Sequence, residues 1–107
     1  MNRSIDITPG QRKTLLGLLN QYLPNTVAWV YGSRAKGTAR PQSDLDMVVF
    51  AAPEMSMQVG GLQEAFEESS LPFRVDLFSW DDVPAPFQKN IESDHVVLQP
   101  PEGAARP

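Results

Sequence analysis

Three short apolar runs constrain the fold of this chain more than any other feature. Residues 27–31 (VAWVY), 45–51 (LDMVVFA) and 73–79 (FRVDLFS) are rich in β-branched and aromatic side chains, and each is read as a buried strand. The segments between them carry a different period. Thr8-Pro9 reads as an N-cap followed by proline at the first helical position, and Leu15, Leu16, Leu18, Leu19, Tyr22 and Leu23 continue as a helical stripe that Pro24-Asn25 stops. Over residues 55–70, Met55, Val59, Leu62, Ala65 and Phe66 recur at spacings of three and four, with Glu64, Glu67 and Glu68 on the remaining surface. This predicts an amphipathic helix weakened by Gly60-Gly61. Residues 33–37 read as one helical turn, TARPQS as a loop, 84–93 as a last short helix and 95–99 as a final extended piece. The first two strands are joined by about a dozen residues and the second and third by a full helix. The expected class is therefore α/β (α+β): a small mixed β-sheet with helices packed on one face.

Length and charge bound what such a sheet can serve. At 107 residues the chain is expected to form one domain over 1–99, and the remaining PPEGAARP, with no apolar residue larger than alanine, is expected to be a disordered tail. The absence of cysteine excludes disulfides and thiolate-bound metals. MNRSIDITPGQRKT lacks the apolar core of a signal peptide, and no apolar run approaches the roughly 20 residues that cross a bilayer, so a soluble, cytoplasmic protein is expected. Nine basic against thirteen acidic residues give a net charge of −4, which disfavours direct tracking along a nucleic-acid backbone. A local basic pocket for a small phosphate ligand stays compatible with that balance.

The chemistry concentrates in YGSRAKGTARPQSDLD, residues 31–46. Gly32 and Gly37 have the glycine spacing of a P-loop, but Thr38-Ala39 stands where its Lys-Ser/Thr pair must be, and the G-x-G-x-x-G fingerprint is absent. What remains is Gly32-Ser33 directly after a strand and Asp44-x-Asp46 at the start of the next. A glycine lets backbone approach a ligand, and a serine opening a helical turn offers hydroxyl and N–H groups to a phosphate. Alternation places Asp44 and Asp46 on one strand face with α-carbons roughly 6.5 to 7 Å apart, where two carboxylates can converge on a divalent cation. Magnesium suits such a site, because it takes few protein carboxylates and completes its shell with water and phosphate oxygens. Asp76, inside an otherwise apolar strand, is the natural third member, since a buried ionised group is costly unless paired or metal-bound.

Gly32-Ser33-Arg34-Ala35, Gly37 and Ser43-Asp44-Leu45-Asp46, with Asp76 on a later strand, resemble the G-S-x-A-x-G…S-D-x-D…D pattern of the nucleotidyltransferase fold shared with DNA polymerase β and kanamycin nucleotidyltransferase. The short length resembles the minimal nucleotidyltransferase branch, whose members often act as antitoxins to HEPN-domain ribonuclease toxins. The resemblance covers roughly residues 8–99. It implies AMP transfer from ATP, with Asp44, Asp46 and Asp76 as catalytic, magnesium-holding residues and Gly32, Ser33 and Ser43 on the nucleotide. Arg34 and Lys36 would neutralise pyrophosphate charge. It also implies a HEPN toxin as partner, modified on a tyrosine hydroxyl, with neutralisation by contact alone, or transfer to a small molecule or RNA, as the alternatives.

Each residue also has a plainer reading. Asp44 and Asp46 as a turn-and-cap pair would leave Gly32-Ser33 and Asp76 unexplained. Asp76 alone could be an exposed strand residue or be paired with Arg74. Asp81 and Asp82 read as the N-cap region of the last helix, and Arg34 and Lys36 as solvated turn residues. His95, the only histidine, reads as a surface or boundary residue, since no second histidine exists to build a zinc site. Trp29 and Trp80 read as core or interface packing, although an aromatic near the site could stack on a base.

Overall fold

The chain enters its first helix where Thr8 and Pro9 require it to. The Thr8 hydroxyl accepts from the Gln11 N–H at 3.1 Å and the Gln11 side chain accepts from the Thr8 N–H at 2.9 Å, a reciprocal cap that satisfies two backbone donors before α1 (Pro9–Tyr22). The structure, a computed structural model, describes residues 5–100. After α1 come β1 (Ala28–Tyr31), the single turn α2 (Ser33–Lys36) and β2 (Leu45–Val49). A 3-10 turn (Pro53–Met55) leads into α3 (Ser56–Glu68), followed by β3 (Val75–Ser79), a second 3-10 turn (Trp80–Asp82), α4 (Ala85–Ser93) and β4 (His95–Gln99). The expected order of elements holds, with strand ends trimmed by one or two residues. The tail expected to be disordered falls, apart from Pro100, outside the described residues. Among the described residues no helix is long and apolar enough to cross a membrane.

The sheet is mixed, in the order β3-β2-β1-β4. β1 pairs antiparallel with β2 and β4, whereas β2 and β3 run parallel, and the parallel pair needs the crossover that α3 supplies. On one face Ala28, Val30, Leu45, Met47, Val49 and Val75 meet Leu15 and Leu19 of α1, Leu23 just after it, and Leu62 and Phe66 of α3 in one buried cluster. Burying a Leu-sized side chain stabilises by roughly 1.5–3 kcal/mol, so this face carries most of the fold's apolar gain. The polar end of β4 is tied in as well: the Gln99 amide donates to the carbonyls of Leu23 and Thr26 at 3.2 and 2.6 Å.

The expectation of helices on one face holds for α1 and α3 but needs correction for α4. Ile91 of α4 is buried yet lies outside the main cluster, and α4 lines a cavity with Tyr31 and Phe78, whose side chains alternate away from Val30 and Leu77. The reason is that the second face is also apolar. It carries Val48, fully buried, and an aromatic cluster in which Trp29 packs edge-on to Phe50 (4.6 Å) and Trp80 (5.6 Å) and stacks on His95 (3.7 Å). Both tryptophans are thus packing residues, as is the histidine.

α3 runs unbroken through Gly60-Gly61, and the two glycines differ. A Cβ on Gly60 would meet nothing within 4 Å, but one on Gly61 would press on the Tyr22 ring at 3.0 Å, where α1 and α3 touch. Gly60→Ala is therefore expected to stabilise by about 0.5–1 kcal/mol, and Gly61→Ala to lose that gain to the ring contact. Urea midpoints of the two variants would check this; equal shifts would contradict it.

Candidate active site

Strand register builds the site. Tyr31 pairs with Asp46, Asp46 with Asp76, and Tyr31 on its other side with His95, so these four residues form one row across the sheet. Adjacent strands lie roughly 4.8 Å apart, which brings the Asp46 and Asp76 carboxylates side by side on the face opposite the main core. Asp44 sits just before β2 and is exposed, at the mouth of the strand, so the alternation expected within one strand is replaced by a loop position. It is still close enough to act on Asp46. Burial first, then Asp76, then Asp44, push the Asp46 carboxyl from 3.8 up to about 6. Burial, followed by Asp46 and Asp76, pushes the Tyr31 phenol up to about 12, so the row contains a neutral hydroxyl beside two carboxylates.

Gly32 explains why the turn after β1 is glycine. Its backbone (φ 75, ψ −154) lies in a region that only glycine occupies readily, and a Cβ there would collide with Oδ2 of Asp46. The missing side chain is the space the carboxylate occupies. Gly37, also at positive φ, ends α2 in a left-handed cap, and an added methyl group there would meet nothing within 4 Å. Gly32→Ala is expected to cost about 3 kcal/mol or more, strain plus displacement of Asp46, and Gly37→Ala only about 1–2 kcal/mol. Thermal melts of the pair test the distinction, and equal losses would remove the proposed contact with Asp46.

The remaining expected residues divide. Ser33 opens α2 next to Gly32, and Lys36 lines the cavity beside them, its ammonium 3.6 Å from Asp94. Arg34 requires correction, because it is neither solvated nor turned to the site. Only 5% exposed, its guanidinium donates to the carbonyls of Asp6 (2.8 Å), Ser43 (3.0 Å), Pro41 (3.1 Å) and Arg40 (3.3 Å), and lies 4.0 Å over the Phe73 ring. A fork of donors suits a cluster of carbonyls, and this one gathers the loop that delivers Asp44. Ser43 is corrected likewise: its hydroxyl accepts from the Arg40 N–H at 2.8 Å and closes the turn. Asp81 and Asp82 belong to the 3-10 turn and do not cap α4, whose cap position is Pro84.

Two positioning features escape sequence reading. β3 is an edge strand, and Gln63 of α3 substitutes for a neighbouring strand by donating to the Val75 carbonyl (3.0 Å) and accepting from the Leu77 N–H (3.3 Å). It thereby fixes the backbone on both sides of Asp76. The second is a cavity of about 420 Å³ between α4 and the sheet, reaching Tyr31, Gly32 and Lys36 at one end and walled by Phe78, Val83, Phe87 and Ile91.

Whether the carboxylates fit a metal ion can be judged from their chemistry. Three hard oxygen donors with no nitrogen or sulfur ligand select magnesium-like cations, and a cation would relieve what lifts Asp46: burial of its charge first, then the neighbouring charges of Asp76 and Asp44. Among the described residues, however, no three such side chains already converge as a ligand set. Asp76 is drawn instead to Arg74 at 3.0 Å. Because the Arg74 side chain is 72% exposed, that pair is worth at most about 1 kcal/mol, and Asp76 can exchange it for a stronger partner.

Residues 13–101 match the family described as polymerase beta nucleotidyltransferase. The chain is 35% identical over 99 residues to the probable protein adenylyltransferase MntA of Haemophilus influenzae, spanning 92% of this chain and 87% of that protein. A crystal structure of a toxin-antitoxin with AMP-PNP superposes with a TM-score of 0.66 at 19% identity, covering 85% of this chain and 74% of the other. A minimal nucleotidyltransferase superposes at 0.56 with 24% identity, covering 81% and 88%. At these identities the two structures speak for the fold.

Proposed function

This chain belongs to the polymerase beta nucleotidyltransferase family, and from that premise we propose that it is an antitoxin that transfers AMP from ATP to a tyrosine hydroxyl of a HEPN-domain toxin. The observation that carries the reading is the carboxylate row. Asp46 lies between Asp76 on the next strand and Asp44 at the strand mouth, and Gly32 leaves room for its oxygen. The 35% identity to a probable protein adenylyltransferase supports the choice of AMP and of a protein acceptor, and the likeness to toxin-antitoxin complexes is consistent with the partner.

In the transfer, the acceptor oxygen forms a bond to the α-phosphorus of ATP, the bond from that phosphorus to the β-bridging oxygen breaks, and pyrophosphate leaves. Asp44 and Asp46, with Asp76, would hold magnesium, whose chemistry is to neutralise the charge that builds on the entering and leaving oxygens. The Gly32-Ser33 turn binds the phosphates, and Lys36 adds positive charge beside them. Asp76 orients the acceptor hydroxyl, whose proton is lost to the carboxylate row. Arg34 and Ser43 act at one remove, holding the loop that carries Asp44.

Neutralisation by contact alone is the rival, and the double variant Asp44→Ala/Asp46→Ala separates the two in cells carrying the toxin. Loss of protection with the complex still assembling is expected. Full protection by the variant would establish the contact mechanism.

A further inference from the structure

Asp76 stands on the edge strand β3, so among the described residues one flank of its backbone has no strand beside it. Resting on the reading of this chain as a magnesium-using nucleotidyltransferase, we infer that Gln63 is a positioning residue for the transfer. Its side-chain amide stands in for the absent strand and holds the Asp76 backbone where the carboxylate can join Asp46 on one magnesium ion.

The amide is used almost to saturation. Nε2 donates to the Val75 carbonyl at 3.0 Å and to Oε2 of Glu67 at 3.3 Å, while Oε1 accepts from the Leu77 N–H at 3.3 Å. Turned over, it would set oxygen against two oxygens and nitrogen against an N–H, so Glu67, one turn further along α3, helps to lock its orientation. The mount is rigid too, because Leu62 and Phe66 anchor this part of α3 in the core. On the inner flank the Leu45 N–H donates to the Arg74 carbonyl at 2.8 Å, and alternation turns the peptide groups of Asp76 the same way, toward β2. Asp76 is thereby held between a strand on one side and a single side chain on the other.

In binding a cation, the Asp76 side chain must move and its backbone must not. The carboxylate is paired with Arg74 at 3.0 Å, and among the described residues no three ligand side chains already converge. Leaving Arg74 for a cation shared with Asp46 is a rotation about side-chain bonds, and it reaches the right place only from a fixed α-carbon. Magnesium is strict about where its oxygens stand, and parallel pairing such as that of β2 with β3 is the slightly weaker kind, so a second tether has much to add. Protection of an edge from aggregation needs only a charge or a cover. Gln63 supplies more than that, a donor and an acceptor matched to the two peptide groups that flank Asp76.

The test compares the full chain with Gln63→Met, Gln63→Glu and, as a control on the exposed side of the same helix, Glu64→Ala. Methionine keeps the length of the side chain without its donor, and glutamate keeps the acceptor for Leu77 but has no donor for Val75. Magnesium is titrated into each protein by calorimetry, transfer from ATP to the proposed toxin is followed against magnesium concentration, and hydrogen exchange of the Leu77 amide reports whether the flank has opened. Both Gln63 variants are expected to need about tenfold more magnesium, in binding and in transfer alike, because residues that orient metal ligands act on metal affinity. Excess magnesium should restore most of kcat without a change in KM for ATP, Leu77 should exchange faster, and Glu64→Ala should match the parent. Should Gln63→Met fail to fold, Gln63→Glu, which retains one of the two strand hydrogen bonds, decides alone. An unchanged magnesium midpoint, with transfer lost only in proportion to unfolded protein, would reduce Gln63 to edge protection and overturn the assignment. So would normal magnesium binding with a raised KM for ATP. If the parent itself neither took up magnesium nor transferred AMP, the nucleotidyltransferase reading would fall, a result distinct from an active parent matched by its Gln63 variants.

Discussion

Asp46→Asn is expected to abolish nucleotidyl transfer while making the protein more stable at neutral pH. The loss of activity follows from its place in the row, between Asp76 and Asp44 and against Gly32. Charge stabilisation worth several kcal/mol, at 1.36 kcal/mol per tenfold, makes the expected loss on the order of a thousandfold or more. The gain in stability follows from electrostatics. The Asp46 carboxyl titrates near 6 in the folded chain against 3.8 ordinarily, so between those values the folded state binds more protons than the unfolded one. Stability contributed by this group therefore falls as pH rises from 3.8 through about 6, and its full cost is present above that. Melting curves should place the variant above the parent at pH 8, with the gap closing below pH 4. Magnesium should raise the parent's melting temperature at pH 8 and leave the variant's nearly unchanged. A variant less stable than its parent at pH 8 would contradict the crowding of charge at this position.

The second large effect falls on a residue that touches no substrate. Arg34→Ala would leave the carbonyls of Asp6, Pro41 and Ser43 without their side-chain donor, leave the Arg40 carbonyl with the Ser43 N–H alone (3.0 Å), and remove the cation from the Phe73 ring. Four part-buried hydrogen bonds from a charged donor, together with the packing of a side chain that is itself buried, make the expected loss about 3 kcal/mol. In a domain of this size that corresponds to a fall in melting temperature of roughly 10–20 °C. Arg34→Lys should recover little, because an ammonium is a point donor and cannot reach three carbonyls of the 40–43 loop and that of Asp6 together. Arg40→Ala, whose contribution to the clamp is its backbone carbonyl, should change stability by less than about 0.5 kcal/mol. Differential scanning calorimetry of the three variants tests the clamp. A mild Arg34→Ala phenotype, with phosphate binding lost instead, would return Arg34 to the nucleotide.

Why Arg34 could be misjudged from sequence is instructive. Its most distant partner, the Asp6 carbonyl, lies 28 residues upstream, and backbone carbonyls carry no sequence signature. An arginine between serine and alanine in a polar turn therefore reads as solvated or as phosphate-binding. The local features were legible because their causes are local: Thr8, Pro9 and Gln11 form a cap within four residues, and the alternating apolar runs mark three strands. The pairing of Asp46 with Asp76 depends on register across a parallel crossover, and only their chemistry pointed to it beforehand. Tyr31 entered the row by the same register without announcing itself. Helix α4 was expected as a helix, but its face was not, because nothing in 84–93 shows that the far side of the sheet also carries Val48, Trp29 and Phe50. Gln63 offered no signal at all, since a glutamine on an amphipathic helix ordinarily belongs to the solvated side.

The central claim is that the carboxylate row performs group transfer onto a partner protein. Its most direct test incubates the purified chain with the proposed partner, a HEPN-domain toxin, magnesium and ATP labelled at the α-phosphate, then locates the label by mass spectrometry. The account predicts AMP on a tyrosine hydroxyl of the partner, with none transferred by Asp46→Asn. A partner that is neutralised while carrying no label, with magnesium or manganese present, would contradict it.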